Sequence, residues 1–165
     1  MDAHIISPSI LEKAEELVRV CKSQKLRVSL AESCTGGMLS MLLTAVPGSS
    51  SVLDRSLVTY SNEAKQELLG VKKETIVQHG AVSEETVGEM MEGVFTHTSS
   101  DLGLSISGIA GPGGGSPEKP VGLVYIGWGR REAEIQVKAY HFSGDRREVR
   151  VAACEQAMSN LLALV

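Results

Sequence analysis

Residues 26–43 constrain the fold of this chain more than any other segment. Leu26, Val28 and Leu30 alternate with other residues as in a strand, and the residues after Gly37 are rich in helix formers. The hydroxyl and glycine residues between these two runs therefore lie on a strand-to-helix turn. Such a turn presents backbone N–H groups at the positive end of a helix, where an anion or a developing oxyanion can be held.

Ser33 stands at the end of this strand, where a nucleophile would be placed. Cys34 is an alternative nucleophile, because a helix N-terminus favours the thiolate. Adjacent side chains on an extended segment point in opposite directions, so only one of the two should face a site. A structural alternative stays open, in which Ser33 or Thr35 only caps the helix. The turn alone favours this alternative, because capping turns are common.

Composition predicts a single globular domain that spans residues 1–165. The chain is 42% hydrophobic and 22% charged, which is ordinary for such a domain. Its formal net charge of −4 argues against a nucleic-acid partner, since phosphate backbones require a basic face. A small phosphorylated ligand is still compatible with this charge, because a few arginines suffice to bind it.

The cysteines and the apolar runs indicate the cellular compartment of the protein. Three cysteines without CxxC spacing fit a reducing compartment better than a disulfide framework or a zinc site. The N-terminal segment carries acidic residues where a signal peptide needs an apolar core. The longest apolar run, residues 38–46, is too short to span a bilayer. We expect a cytoplasmic protein that does not associate with membranes.

Periodic patterns predict an α/β fold, a three-layer α/β/α sandwich on a mixed sheet. Strands are expected at residues 26–30, 52–60, 102–106, 121–128 and 133–142, the last two as an antiparallel hairpin. The pattern predicts helices after Ser9, after Gly37, over 62–69, after Ser83 and after Asp145, with Ser9, Ser83 and Asp145 as caps. Residues 71–80 are predicted to be a connector. A methionine-rich stripe on the helix after Ser83 indicates core packing or a subunit contact.

The segment from Tyr60 to Lys65 is a second candidate for chemistry. Tyr60 closes a strand, and Lys65 lies in the first turn of the next helix if Ser61 or Asn62 caps it. The helix dipole there disfavours a cation, so Lys65 should lose its proton more easily than an ordinary lysine. Such a lysine can act as the base for a serine, and Tyr60 could hold the amine or relay a proton. The alternative is a solvated lysine and a packed tyrosine, which the spacing alone favours.

A glycine-rich loop at residues 108–115 is the third candidate. It contains neither a Walker motif nor GxGxxG spacing among Gly111, Gly113 and Gly114. Its N–H groups could face a phosphate or a carboxamide, or the glycines could only satisfy unusual backbone angles.

Two further sets of residues complete the candidates. Arg146, Arg147 and Arg150 lie in the first turns of the last helix, where a solvated surface or a bound anion would explain them. The four histidines have no ligand-like spacing to one another, so we expect no metal and no cofactor.

Several motifs together give this chain a resemblance to a known family. They occur in the expected order at residues 30–37 (LAESCTGG), 59–65 (TYSNEAK), 80–83 (GAVS), 108–115 (GIAGPGGG), 119–122 (KPVG) and 142–146 (FSGDR). The chain resembles the CinA C-terminal family, the nicotinamide-nucleotide amidases, from Leu11 onward. Larger CinA proteins carry an additional N-terminal domain, and this chain looks like the stand-alone amidase form.

The resemblance implies a mostly parallel, mixed sheet of about five strands, often in homodimers. It also implies hydrolysis of the carboxamide of nicotinamide mononucleotide to nicotinate mononucleotide and ammonia, a step of pyridine-nucleotide salvage. Family knowledge points to a serine nucleophile assisted by lysine and tyrosine, which here are Ser33, Lys65 and Tyr60. The residues expected to contact substrate are Cys34, Thr35, Gly36, Gly37, Asn62, Gly111, Gly113, Gly114 and Arg146.

The implied mechanism begins with neutral Lys65 taking the proton of Ser33, which attacks the carboxamide carbon. N–H groups near Thr35–Gly37, or in the glycine loop, would hold the oxyanion, and water would then cleave the acyl-enzyme. Two alternatives stay open: a nucleotide-binding regulatory domain without turnover, and a cysteine amidase that uses Cys34.

Overall fold

A computed structural model describes residues 6–165, and in this range five strands form one sheet. The strands are β1 (Val28–Glu32), β2 (Leu53–Val58), β3 (Leu102–Gly108), β4 (Leu123–Arg130) and β5 (Gln136–His141). The helices are α1 (Pro8–Ser23), α2 (Met38–Thr44), α3 (Asn62–Leu69), α4 (Lys73–His79), α5 (Glu84–His97) and α6 (Arg146–Leu162), with a short 3-10 helix at Ser49–Ser51.

The strand order in the sheet is β2-β1-β3-β4-β5. β1 is parallel to both of its neighbours, β2 and β3. β4 runs antiparallel between β3 and β5, so four of the five strands point the same way. The predicted mixed, mostly parallel sheet and the predicted hairpin are both confirmed.

Helices cover both faces of this sheet, which confirms the three-layer architecture. One core joins α1, α2 and α6 to the sheet, and the other joins α5 to it, with α3 and α4 packed alongside. Neighbouring residues of β1 face opposite cores, Leu30 the first and Ala31 the second. This follows from the two-residue period of a strand, and it explains why all five residues of β1 are buried. The methionine stripe of α5 is core, since Met90 and Met91 are fully buried.

Most predicted helix caps are observed. Ser83 accepts a hydrogen bond from the N–H of Thr86, and Asp145 forms a full capping box with Glu148. The predicted cap at Ser9 is wrong, because α1 begins at Pro8 and proline is favoured at the first helical position. Residues 71–80 are not a simple connector, since they contain α4. That helix buries only one side chain, Ile76, so its sequence shows no apolar periodicity.

A close contact fixes α5 against the end of α3. A β-carbon added to Gly93 would lie 2.1 Å from the carbonyl oxygen of Leu69, so only glycine allows this approach. The contact holds the C-terminal end of α3, the helix that carries Lys65, against α5. Among the described residues, no helix is both long and apolar enough to cross a membrane.

Candidate active site

Ser33 is the first residue after β1, and the neighbouring strand holds its backbone. The N–H of Ser33 donates to the carbonyl of Ile106 in β3, at 2.9 Å. The residue is 8% exposed, so its hydroxyl opens only into a restricted space. The predicted position at the C-terminal edge of the sheet, where open α/β sheets bind ligands, is confirmed.

Lys65 reaches this hydroxyl from α3. Ser61 caps α3 by accepting the N–H of Ala64, which confirms the predicted position of Lys65 in the first turns of the helix. The residue is 1% exposed, so the alternative of a solvated lysine is wrong. Its Nζ lies 3.0 Å from Ser33 Oγ, 2.7 Å from the carbonyl oxygen of Thr59 and 3.4 Å from that of Tyr60.

The surroundings of Lys65 favour a neutral amine. Burial lowers the pKa of Lys65 below its ordinary value, while the nearby Cys34 opposes this shift. Within the described residues, no carboxylate forms an ion pair with this lysine. A neutral amine has two N–H groups and one lone pair. The carbonyls of Thr59 and Tyr60 can accept the two N–H groups, which directs the lone pair towards the hydroxyl of Ser33.

Glu32, rather than Ser33 or Thr35, satisfies the N-terminus of α2. Its carboxylate accepts the N–H groups of Gly37, Leu39 and Ser40 at 2.8–3.1 Å. The N-cap residue is Gly37, and no side-chain hydroxyl caps this helix. The structural alternative in which Ser33 serves only as a cap is therefore wrong.

Some backbone N–H groups of the turn after Ser33 already donate hydrogen bonds within the protein. The N–H of Gly36 donates to the carbonyl of Ser33, and that of Gly37 to Glu32. Both glycines adopt positive φ angles, +57° and +91°, so their role is to shape the turn. Over the described residues, the N–H groups of Cys34 and Thr35 have no backbone acceptor. The N–H groups of Gly36 and Gly37 are therefore not available to an oxyanion, and the N–H groups without an acceptor lie at the start of the turn.

Cys34 is a poor nucleophile in this environment. It is 7% exposed and belongs to the apolar core on the α2 side of the sheet. Burial raises the pKa of its thiol to about 11, and this outweighs the opposing effect of its own backbone N–H, Arg150 and Lys65. The expectation that the turn would favour a thiolate is wrong, because desolvation exceeds the attraction of the helix end.

A cavity of about 230 Å³ opens in front of Ser33 and Lys65. It is lined by Ser33, Cys34, Tyr60, Lys65, Ala81, Val82, Ser107, Gly108, Ala110 and Arg146. The three candidate segments of the sequence therefore meet at one site, at the edge where β1 and β3 end.

Tyr60 and Arg146 form the rim of the site. The phenol of Tyr60 is 2.8 Å from the guanidinium of Arg146, and the residue is 59% exposed. Arg146 also donates to the carbonyl of Gly111, at 2.7 Å. It is the carbonyl of Tyr60, rather than its phenol, that lies near Lys65. Arg146 thus links Tyr60 to the glycine loop.

Other expected contact residues lie farther out. Asn62, Gly113 and Gly114 are exposed and do not line the cavity. Gly111 and Gly114 have positive φ angles, so an unusual backbone explains these two glycines. Thr35 is fully buried, and its carbonyl accepts a hydrogen bond from Arg150 at 2.8 Å.

Metal ligands do not cluster in the part of the chain that the structure describes. No three side chains of His, Cys, Asp or Glu come together there as ligands, and His4 lies outside the described residues.

Sequence reasoning missed two contributors to the site, Glu32 and Ser107. Glu32 could have been noticed as a charged residue at the end of an otherwise uncharged strand that leads into a helix. Ser107 lies on the face of β3 opposite to Ile106, and its hydroxyl donates to the carbonyl of Ala81 at 2.8 Å. This bond attaches the segment before α5 to the cavity, and no local pattern indicates it.

Solved structures share this fold over nearly the whole chain. The competence/damage inducible protein CihA from Agrobacterium tumefaciens is 39% identical with a TM-score of 0.93, and the match covers 99% of this chain and 98% of that one. A CinA superfamily protein from Escherichia coli is 28% identical with a TM-score of 0.89, and covers 100% and 99%.

Curated relatives are longer proteins. A "CinA-like protein" of Thermotoga maritima is 50% identical over 151 residues, which are 91% of this chain and 36% of that protein. A "Putative competence-damage inducible protein" of Caldanaerobacter subterraneus is 53% identical over 140 residues, 84% of this chain and 34% of that protein. The chain thus spans about a third of the length of these relatives. The model of the CinA C-terminal domain matches residues 11–165, and the chain belongs to this family.

Proposed function

We propose that this protein hydrolyses the carboxamide of nicotinamide mononucleotide to nicotinate mononucleotide and ammonia. The observation that carries the proposal is a buried lysine, without a carboxylate partner among the described residues, 3.0 Å from a serine hydroxyl in a cavity. A base within about 2.6–3.2 Å of the proton donor satisfies the geometric requirement for general-base catalysis. The family resemblance supplies the substrate.

The reaction begins when Lys65 Nζ takes the hydroxyl proton of Ser33. Ser33 Oγ then forms a bond to the carboxamide carbon, and the carbonyl oxygen becomes an oxyanion. The N–H of Cys34, a residue that lines the cavity, is the turn donor available to receive this charge. The positive charge of the pyridinium ring withdraws electrons, so this amide is a better electrophile than that of free nicotinamide.

The intermediate collapses by breaking the bond between carbon and nitrogen. Lys65 returns its proton to the leaving amino group, which departs as ammonia and leaves an acyl-serine. Water then attacks the same carbon and gives a proton to Lys65, which passes it to Ser33 Oγ as the ester bond breaks. The net reaction consumes one water and regenerates both side chains.

The deciding experiment measures ammonia release from nicotinamide mononucleotide in the presence of EDTA. Ser33→Ala and Lys65→Met should both lose turnover, since each removes one partner of the proton transfer. Lys73→Met is the matched control, because Lys73 is exposed at the start of α4. EDTA should not change the wild-type rate. A wild type that binds the nucleotide without releasing ammonia would refute the enzyme and favour a regulatory domain.

A further inference from the structure

A second cavity, of about 440 Å³, adjoins the cavity at Ser33 and is rich in arginine. It is lined by Ala110, Pro112, Val121, Gly144, Asp145, Arg146, Arg147 and Arg150. Ala110 and Arg146 line both cavities, so the two form one continuous depression. We call the second cavity the arginine cleft.

The hydrogen bonds of these arginines leave their charges uncompensated by carboxylates. Arg146 donates to the carbonyl of Gly111 and to the phenol of Tyr60, both neutral groups. Arg150 donates to two backbone carbonyls, at 3.1 and 2.8 Å. Arg147 has no hydrogen-bond or ion-pair partner within residues 6–165. The acidic residue in the lining, Asp145, is engaged as the cap of α6.

Positive charge at this end of α6 is unfavourable for the helix itself. All three arginines lie in the first turns of α6, where the helix dipole disfavours positive charge. The guanidinium of Arg150 stabilises the Ser33 turn, and that of Arg146 holds the rim. Arg147 is exposed and makes no such contact, so its guanidinium is available to a ligand in the cleft.

We propose that the arginine cleft binds the phosphate monoester of the substrate, with Arg147 as the principal contact and Arg146 beside it. A guanidinium presents its N–H groups in a planar fork that matches phosphate oxygens. The proposal rests on the proposed function, which places the carboxamide at Ser33. The pyridine ring then occupies the smaller cavity, and the ribose leads to the cleft. Their volumes suit a ligand of this size.

The test compares wild type, Arg147→Gln and Arg19→Gln on nicotinamide mononucleotide and on nicotinamide riboside. Arg19 is an exposed arginine of α1 outside both cavities, so it controls for the loss of one charge. Arg147→Gln should raise KM for the mononucleotide by about 10- to 100-fold, the effect of losing a charge-assisted hydrogen bond. The preference for mononucleotide over riboside should fall by the same factor. Arg147→Lys should restore part of it.

Calorimetric binding of ribose 5-phosphate and of orthophosphate separates this proposal from the proposed function. One outcome is that the wild type binds ribose 5-phosphate, that Arg147→Gln does not bind it, and that no ammonia is released. This outcome would support phosphate binding in the arginine cleft and refute the proposed amidase activity. If wild type, Arg147→Gln and Arg19→Gln all hydrolyse the mononucleotide with the same KM, the proposed phosphate site is refuted and the amidase activity is supported. Equal affinity for orthophosphate and ribose 5-phosphate, without preference for mononucleotide over riboside, would assign the cleft to free phosphate and also overturn the proposal.

Discussion

Lys65 Nζ lies 3.0 Å from Ser33 Oγ, although the two residues are 32 positions apart in the chain. The contact joins the end of β1 to the first turns of α3, and both side chains are buried.

Turnover should rise with pH through the lowered pKa of Lys65, because only the neutral amine can accept the proton of Ser33. Burial places this pKa below the ordinary value of 10.5, so the midpoint of the rise should lie below pH 10.5. The measurement is kcat/KM against pH for ammonia release. A profile that falls as pH increases, or begins to rise only near pH 10.5, would contradict the assignment.

The lowered pKa of Lys65 should also make stability depend on pH. Between that pKa and 10.5 the unfolded lysine binds a proton that the folded lysine does not, so the free energy of unfolding increases with pH. Lys65→Met should lack this slope, and Lys73→Met should keep it. Urea unfolding at several pH values measures the slope. Burial raises the pKa values of the three thiols from 9.0, which gives an opposite slope above pH 9, and the comparison between wild type and Lys65→Met removes that contribution.

Cys34 should react slowly with iodoacetamide in the folded protein and rapidly after unfolding. Its burial and its raised pKa of about 11 leave little thiolate near neutral pH. Mass spectrometry of the labelled peptides gives the rate at each cysteine. Rapid native labelling of Cys34 that abolishes turnover, together with an active Ser33→Ala variant, would support the cysteine amidase instead.

Replacing Glu32 with Gln should destabilise the protein by about 2 kcal/mol, because one carboxylate oxygen becomes a donor that faces other donors. Oε2 accepts two backbone N–H groups, and Oε1 accepts the N–H of Ser40 and the hydroxyl of Ser56, so either amide orientation conflicts. Turnover should also fall as the Ser33 turn shifts. Glu67→Gln, at an exposed position of α3, is the control in urea unfolding. Equal stability of the two variants would refute this role.

Tyr60→Phe should raise KM more than it lowers kcat. The phenol holds Arg146 at 2.8 Å, whereas the contact with Lys65 comes from the backbone carbonyl, which phenylalanine retains. Steady-state kinetics on nicotinamide mononucleotide separates the two constants. A loss of kcat comparable to that of Lys65→Met, with KM unchanged, would show instead that the phenol relays a proton.

Two glycines of α5 should respond oppositely to alanine. In Gly93→Ala the new carbon would collide with the carbonyl of Leu69, so we expect a loss of about 2 kcal/mol or more. In Gly88→Ala the nearest heavy atom is a methyl carbon of Val137 at 3.9 Å, and the higher helix propensity of alanine should stabilise by up to about 1 kcal/mol. Chemical denaturation measures both. A harmless Gly93→Ala would show that α3 and α5 can separate.

Local patterns were sufficient for most of the fold. The alternating residues of β1, the serine caps of α3 and α5 and the Asp145 cap of α6 depend on neighbours within a few positions. The helix α4 was missed for the same reason, because burial of Ile76 alone leaves no periodic pattern. Their positions at the ends of predicted strands and at the start of a predicted helix also indicated Ser33, Tyr60 and Lys65 as candidate catalytic residues.

Short-range propensity and periodicity were enough to predict all five strands and five of the six α-helices of residues 6–165, most of the caps and the three candidate segments of the site. The burial and the hydrogen-bond partners of each side chain at the site became known from the folded structure alone. In the folded protein, Lys65 is buried beside Ser33 without an ion-pair partner among the described residues, and the thiol of Cys34 is buried as well. The carboxylate of Glu32 accepts the N–H groups at the N-terminus of α2. The physical reason is that desolvation and proton affinity depend on atoms contributed by distant parts of the chain, which no local pattern specifies.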